Sequence, residues 1–247
     1  MKIAFQTDDG IGTAATFGVI VLQTDETLEP EFAQIMAQPG IALYHNRIPM
    51  APAILPETLM QMKADLPAAA ALFPSSLKFD AIGYGCTSAA TVIGPDGVRA
   101  AIQSAIPGAA VTDPLTALIA ACAKLDARRI AFLTPYVPEV SARMQARLED
   151  AGNSIVSFGS FEESDDRVVA RISEASILKA IQTVAAKADC DVVIVACTNL
   201  RCARIIAQAE KLTGVPVLSS NVALAWHMLT LAGIKPAKPE FGRLMAG

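Results

Sequence analysis

The sequence predicts an α/β protein built as two pseudo-symmetric lobes, each a parallel sheet flanked by helices, with a site between them. Three observations carry that expectation. Short apolar runs alternate with helical patterns, their order repeats once along the chain, and 53% of the 247 residues are hydrophobic, enough to bury a large core.

The first predicted strand, Phe17–Leu22, precedes a helix over Glu29–Gln38, and Ile41–Tyr44 is followed by a helix over Pro56–Leu66. Phe79–Tyr84 and Ala109–Val111 are the next strands, before a helix at Leu115–Lys124. The pattern then runs Ile130–Leu133, helix Val140–Ala151, Ser154–Phe158, helix Glu174–Lys187, Val192–Ala196, helix Ala203–Lys211, Pro216–Leu218 and helix Val222–Leu231. Each helix carries Leu, Ile, Met or Ala at three- and four-residue spacing. Strands alternating with helices imply parallel sheets joined by crossovers.

The repeat sets the domain organisation. Gly18 to Asp25 resembles Ala131 to Tyr136, each followed by a helix, and Phe79 to Thr87 resembles Cys190 to Thr198. Asp25 and Tyr136 stand 111 residues apart, and so do Cys86 and Cys197, as duplication of one lobe leaves behind. The expected first lobe is 1–113, completed by the C-terminal helix 221–247, and the second is 114–220.

Charge and composition exclude several classes. Twenty Lys and Arg against 24 Asp and Glu give −4, and no basic cluster interleaves with aromatics, so neither nucleic acid nor an anionic membrane is an expected partner. No apolar stretch reaches the ~20 residues of a membrane span, and the N-terminus has no signal-peptide core. Five cysteines without a CxxC spacing read as reduced thiols, which with the missing signal peptide gives a cytoplasmic expectation. His45 and His227 lie far from any zinc-ligand spacing, so no metal is expected. GxSxG and GxxxxGK[ST] are absent, and Gly10-Ile11-Gly12 lacks the third glycine of a dinucleotide fingerprint and reads as a turn before the first strand.

The chemistry concentrates in two Cys-Thr pairs. Each sits just past the carboxyl end of a predicted strand, where parallel sheets form their ligand crevice. Thr87-Ser88-Ala89-Ala90 and Thr198-Asn199-Leu200 suit the opening of a helix, whose unpaired N–H groups are expected to lower the thiol pKa and to form an anion hole. Gly83 and Gly85 permit close backbone approach. Cys122, Cys190 and Cys202 are read as small buried hydrophobes. Cys86 and Cys197, facing one another across a ligand, suit proton transfer between the two faces of a carbon, addition to an activated alkene, or protonation of an enolate after decarboxylation. None of these needs a metal or organic cofactor.

At these residues the chain resembles the aspartate/glutamate racemase superfamily, in the branch with maleate cis-trans isomerase, arylmalonate decarboxylase and the ectoine-utilisation A proteins. The likeness rests on Gly83-Tyr84-Gly85-Cys86-Thr87-Ser88, Leu133-Thr134-Pro135-Tyr136, Ala196-Cys197-Thr198-Asn199, Val215 to Asn221 with Trp226, and Pro239 to Leu244. It implies two pseudo-symmetric α/β lobes with the active site between them. It implies Cys86 as nucleophile or base and Cys197 as general acid and base, with Thr87, Ser88, Tyr136, Thr198 and Asn199 donating hydrogen bonds to substrate carboxylates.

The implied activity is a cofactor-independent isomerase of a small carboxylate or dicarboxylate. The alternatives are a racemase of an amino acid or its derivative, of the ectoine-utilisation type; an arylmalonate-type decarboxylase, disfavoured because those enzymes have glycine where Cys86 stands; and a binding protein without turnover. A homodimer or higher homo-oligomer is expected. Maleate isomerases place an asparagine in the first-strand loop. The matching residue here is Asp25, and a second family asparagine corresponds to Asp166. Asp25 therefore receives a positive group of the substrate, is held protonated, or caps the following helix. A half-buried Tyr136 with its hydroxyl at the surface is the bland alternative for that residue, and Trp226, His227 and Met228 read as packing or interface residues.

Overall fold

The computed structural model describes residues 1–50 and 56–247. Among the described residues eight strands form two four-stranded parallel sheets of the same topology. In the first, β1 (Ala15–Leu22) pairs with β2 (Ile41–Ile48) and β3 (Ala81–Gly85), and β3 pairs with β4 (Ala110–Thr112). In the second, β5 (Arg129–Thr134) lies between β6 (Ser154–Ser160) and β7 (Val192–Val195), and β8 (Val217–Ser219) flanks β7. The orders β2-β1-β3-β4 and β6-β5-β7-β8 match position for position, as the sequence repeat requires.

β1 is buried along its whole length because it is central and covered on both faces. Alternate side chains go to opposite sides. Phe17, Val19 and Val21 join Leu28, Phe32 and Ile35 of helix α1 (Leu28–Ile35) in a core continuous with the second sheet. Ile20 and Leu22 pack with Ile82, Tyr84, Met62, Leu66 and Phe73 in a separate core under helix α2 (Pro56–Ala70).

Two helices lie between β3 and β4: the first is the one expected to open at Thr87, and the second was missed by the reading from sequence. Cys86 opens α3 (Thr87–Ile93), and after a left-handed Gly94 (φ 80°) Pro95 starts α4 (Pro95–Gln103), which buries Val98 and Ile102. Proline at the first position of a helix and apolar residues four apart were the available signals. The rest of the helical layer comprises α5 (Pro114–Lys124), α6 (Pro138–Asp150), the one-turn α7 (Asp166–Val169), α8 (Glu174–Ala185), α9 (Ile206–Thr213) and α10 (Ser220–Leu231). A 3-10 turn at Ala203–Ile205 precedes α9. Among the described residues no helix is long and apolar enough to cross a membrane.

Helix α10 is apolar on all sides because it is sandwiched between α5, α1 and the first sheet. Trp226 and Met228 are buried there, and His227 Nδ1 shares a 2.7 Å hydrogen bond with Thr112 Oγ1, so all three pack within the chain. The glycines of β3 serve the same packing. A Cβ at Gly83 meets Met228 Sδ at 2.8 Å, and one at Gly85 meets Leu28 Cδ1 at 2.5 Å and the Ile20 carbonyl oxygen at 3.2 Å. Their close approach is to the protein's own atoms. Because the Ile20 carbonyl belongs to the central strand and cannot move aside, Gly85→Ala is expected to cost about 1–3 kcal/mol in urea denaturation, while an unchanged midpoint contradicts the tight approach.

Candidate active site

Each central strand ends in a loop that turns toward the other sheet. β1 delivers Asp25, β3 delivers Cys86 and Ser88, β5 delivers Tyr136, and β7 delivers Cys197, Thr198 and Asn199. These residues, with Leu22, Met50 and Asp166, line one cavity of about 10 Å³, room for about one water. Both pairs of residues related by the 111-residue spacing therefore converge on one volume. Larger cavities exist, one of about 240 Å³ beside Cys122 and Arg128. It holds no facing pair of reactive groups.

The two thiols are held alike. Cys86 caps α3, its Sγ accepting the Ala89 N–H at 3.3 Å with Ser88 Oγ at 3.5 Å. Cys197 Sγ accepts the Asn199 N–H at 3.4 Å, and the nearby Tyr136 hydroxyl favours the charged form of the same thiol. Both are buried. The expectation of lowered thiol pKa values is reversed: burial pushes Cys86 up to about 11 despite its bonds from Ser88 and Ala89, and burial followed by the charge of Asp166 pushes Cys197 up as well. At Cys86 the N–H groups at the start of α3 do not offset the loss of water, and at Cys197 the expected helix is absent, Thr198 to Leu200 forming a turn ahead of the 3-10 turn at Ala203–Ile205.

Thr87 departs from the expected set. Its hydroxyl shares a 2.9 Å bond with Ser220 Oγ at the start of α10, and the residue is not among those lining the cavity. Tyr136 is 4% exposed, which removes the reading of a surface hydroxyl. Asn199 is partly engaged: Oδ1 accepts the Glu26 N–H at 2.9 Å and Nδ2 donates to the Asp166 carbonyl at 3.0 Å. Thr198 Oγ1 lies 3.4 Å from the Gly85 carbonyl across the lobe boundary.

Asp25 both caps and faces the cavity. Oδ1 accepts the N–H groups of Thr27 (2.8 Å) and Leu28 (2.7 Å) at the start of α1, whereas the buried Oδ2 has no hydrogen-bond partner among the described residues. Burial raises its pKa against the pull of those two N–H groups and of the Thr198 hydroxyl. Asp166, half-buried at the start of α7, accepts the Thr24 hydroxyl at 2.7 Å, and burial raises its pKa too. Arg47 lies behind the loop, but Nη1 donates to the carbonyls of Leu22, Gln23 and Asp25 at 2.9–3.1 Å and Nη2 pairs with Glu29. Among the described residues no Lys, Arg or His lines the cavity, and no group of three His, Cys, Asp or Glu is placed to hold a metal ion.

Sequence reasoning also missed what holds the second Cys-Thr loop. Glu31 of α1 is buried, its Oε1 accepting the N–H groups of Cys202 and Ala203 at 2.8 Å and its Oε2 the Asn221 amide at 2.8 Å. Asn221 Nδ2 also donates to the Thr198 carbonyl at 2.8 Å. Burial pushes Glu31 up to about 7 against its N–H partners. An acid on the buried face of an amphipathic helix was the available signal.

Comparisons with known proteins bear on the family and the fold. The family model described as arylmalonate decarboxylase matches residues 95–245. The chain belongs to this family. Over 238 residues it is 26% identical to a maleate isomerase of Nocardia farcinica, covering 92% of this chain and 94% of the relative. Over 141 residues it is 32% identical to an arylmalonate decarboxylase of Bordetella bronchiseptica, covering 56% of this chain and 58% of the relative. Among solved structures, a Nocardia farcinica maleate cis-trans isomerase variant with a covalently bound succinylcysteine intermediate superposes with a TM-score of 0.82 at 25% identity, over 94% of this chain and 98% of that one.

Replacing Glu31 by Gln puts an amide where both carboxylate oxygens accept, so one donor loses its partner. Glu31→Gln is expected to lower stability by about 1–3 kcal/mol and kcat by roughly tenfold (~1.4 kcal/mol), with an unchanged far-UV circular dichroism spectrum. Wild-type kcat in a folded variant contradicts a positioning role.

Proposed function

We propose that this family member is a cofactor-independent isomerase of a short unsaturated carboxylate, with Cys86 as nucleophile and Cys197 as general acid and base. The observation that carries the reading is the convergence of two buried thiols, from pseudo-equivalent loops, on one water-poor cavity. The maleate isomerases among its relatives, one of them captured with a succinylcysteine, support it.

The chemistry follows from that placement. As thiolate, Cys86 gives its electron pair to one carbon of the double bond, forming an S–C bond, and the π pair moves to the neighbouring carbon, delocalised into the carboxylate. Cys197 donates its thiol proton to that carbon. The former double bond is now single and rotates. Cys197 takes a proton back, the pair reforms the double bond, and the S–C bond breaks with its electrons returning to Cys86. Ser88, Thr198, Tyr136 and the free hydrogen of the Asn199 amide are the groups assigned to the substrate carboxylate. The five free cysteines support a reducing, cytoplasmic setting.

Proton NMR of the enzyme with a panel of short cis-2-enoates, maleate included, tests the reading: trans product is expected, and Cys86→Ala and Cys197→Ala should each lose at least about a thousandfold in kcat. No trans product from any member contradicts it. Since Cys86 is a neutral thiol at rest and kcat/KM reports the free enzyme, kcat/KM should rise roughly tenfold per pH unit between pH 7 and 9. Cys197, pushed up as well, adds no falling limb in that range. The family model and the Bordetella bronchiseptica relative favour a second reading, decarboxylation of an arylmalonate. It requires Cys197 alone, so release of carbon dioxide from phenylmalonate that survives Cys86→Ala would select it.

A further inference from the structure

The cavity holds two carboxyl groups and, among the described residues, no cation. Resting on the isomerase reading, we infer that the substrate is a short unsaturated carboxylate bearing an ammonium group, and that Asp25 and Asp166 form the subsite that receives the ammonium.

The decisive atom is Asp25 Oδ2. It belongs to a side chain 2% exposed, lines the cavity, and has no hydrogen-bond partner among the described residues, while Oδ1 is committed to two backbone N–H groups. A buried acceptor of this kind calls for a donor, and the Thr198 hydroxyl, which lowers the Asp25 pKa, has its one hydrogen turned to the Gly85 carbonyl at 3.4 Å. Asp166 stands on the same cavity, anchored through Oδ2 by Thr24, and its charge adds to burial in raising Asp25 and joins that of Asp25 in raising Cys86. The guanidinium groups of the neighbouring segments are already engaged, Arg47 with three carbonyls and Glu29, Arg167 with Asp165 and Arg171 with Glu26.

A dicarboxylate entering this site brings two more negative charges to two acids with no cation among the described lining residues. An ammonium reverses the balance. Its N–H groups satisfy Asp25 Oδ2 and reach Asp166, and its charge offsets the two acids whose fields oppose thiolate formation at both cysteines. One carboxylate is left for the hydroxyl groups of Ser88, Thr198 and Tyr136, and one is enough to delocalise the electron pair in the addition step. The hydrogen bonds from the loop also survive an amide in place of the acid, because Oδ1 of Asp25→Asn still accepts from Thr27 and Leu28.

The test is isothermal titration calorimetry of the Cys86→Ala, Cys197→Ala double variant at pH 7.5 with two probes, cis-4-aminobut-2-enoate and maleate. The zwitterion is expected to bind at least tenfold more tightly than maleate. Adding Asp25→Asn or Asp166→Asn should weaken the zwitterion about tenfold and tighten maleate. If Asp25→Asn fails to fold, the half-buried Asp166→Asn carries the comparison. Equal or tighter binding of maleate, no binding of the zwitterion, or a preference unmoved by the substitutions overturns the subsite. Turnover by the wild-type enzyme separates the two claims: zwitterion bound but never isomerised removes the isomerase reading and leaves the subsite, whereas maleate isomerised without zwitterion binding does the reverse.

Discussion

A parallel strand releases its chain into a loop at its carboxyl end, and in this protein four central strands do so around a volume of about 10 Å³. Everything chemical follows from that convergence. β1 and β3 bring an acid and a thiol, β5 and β7 bring a phenol and a thiol, and the two sheets repeat one topology, so the thiols arrive on opposing loops. The same crowding removes water, which is why both thiols are neutral at rest rather than activated.

Closing two lobes on each other buries polar backbone that must find partners. Glu31, Asn221 and Asn199 supply them. Glu31 and Asn221 bind the chain around Thr198, Cys202 and Ala203, and Asn199 bridges Glu26 and Asp166. Thr24 to Asp166, Thr27 to the Asn199 carbonyl and the Arg171–Glu26 ion pair cross the same boundary. With room for about one water, the site is closed in this structure, and these links lie along the boundary that closes it.

Much of this was legible in the sequence because buried parallel strands write themselves as continuous apolar runs. The 111-residue spacing of Cys86 and Cys197 carried both the topology and the pairing of the thiols. What was not legible depends on contacts between distant segments. Asp25 read as a receiver of a positive group, a protonated acid or a helix cap, whereas in the fold Oδ1 makes the cap and Oδ2 is left without a partner among the described residues. Thr87 matched a binding pattern but turns to Ser220, and Met50 joins the cavity without any local signal. The thiol pKa values went the other way because burial, set by distant segments, outweighs the helix start at Cys86, and no helix opens at Cys197.

The central claim is that Cys86 bonds to substrate while Cys197 handles the proton. It is tested most directly by incubating the Cys197→Ser variant with a turned-over cis-enoate and mapping any adduct by intact-protein and peptide mass spectrometry. The account predicts a single addition of one substrate mass on the peptide carrying Cys86, absent from Cys86→Ala. An adduct on any other cysteine, or isomerisation by the wild-type enzyme with no adduct at Cys86 in the trapped variant, contradicts it.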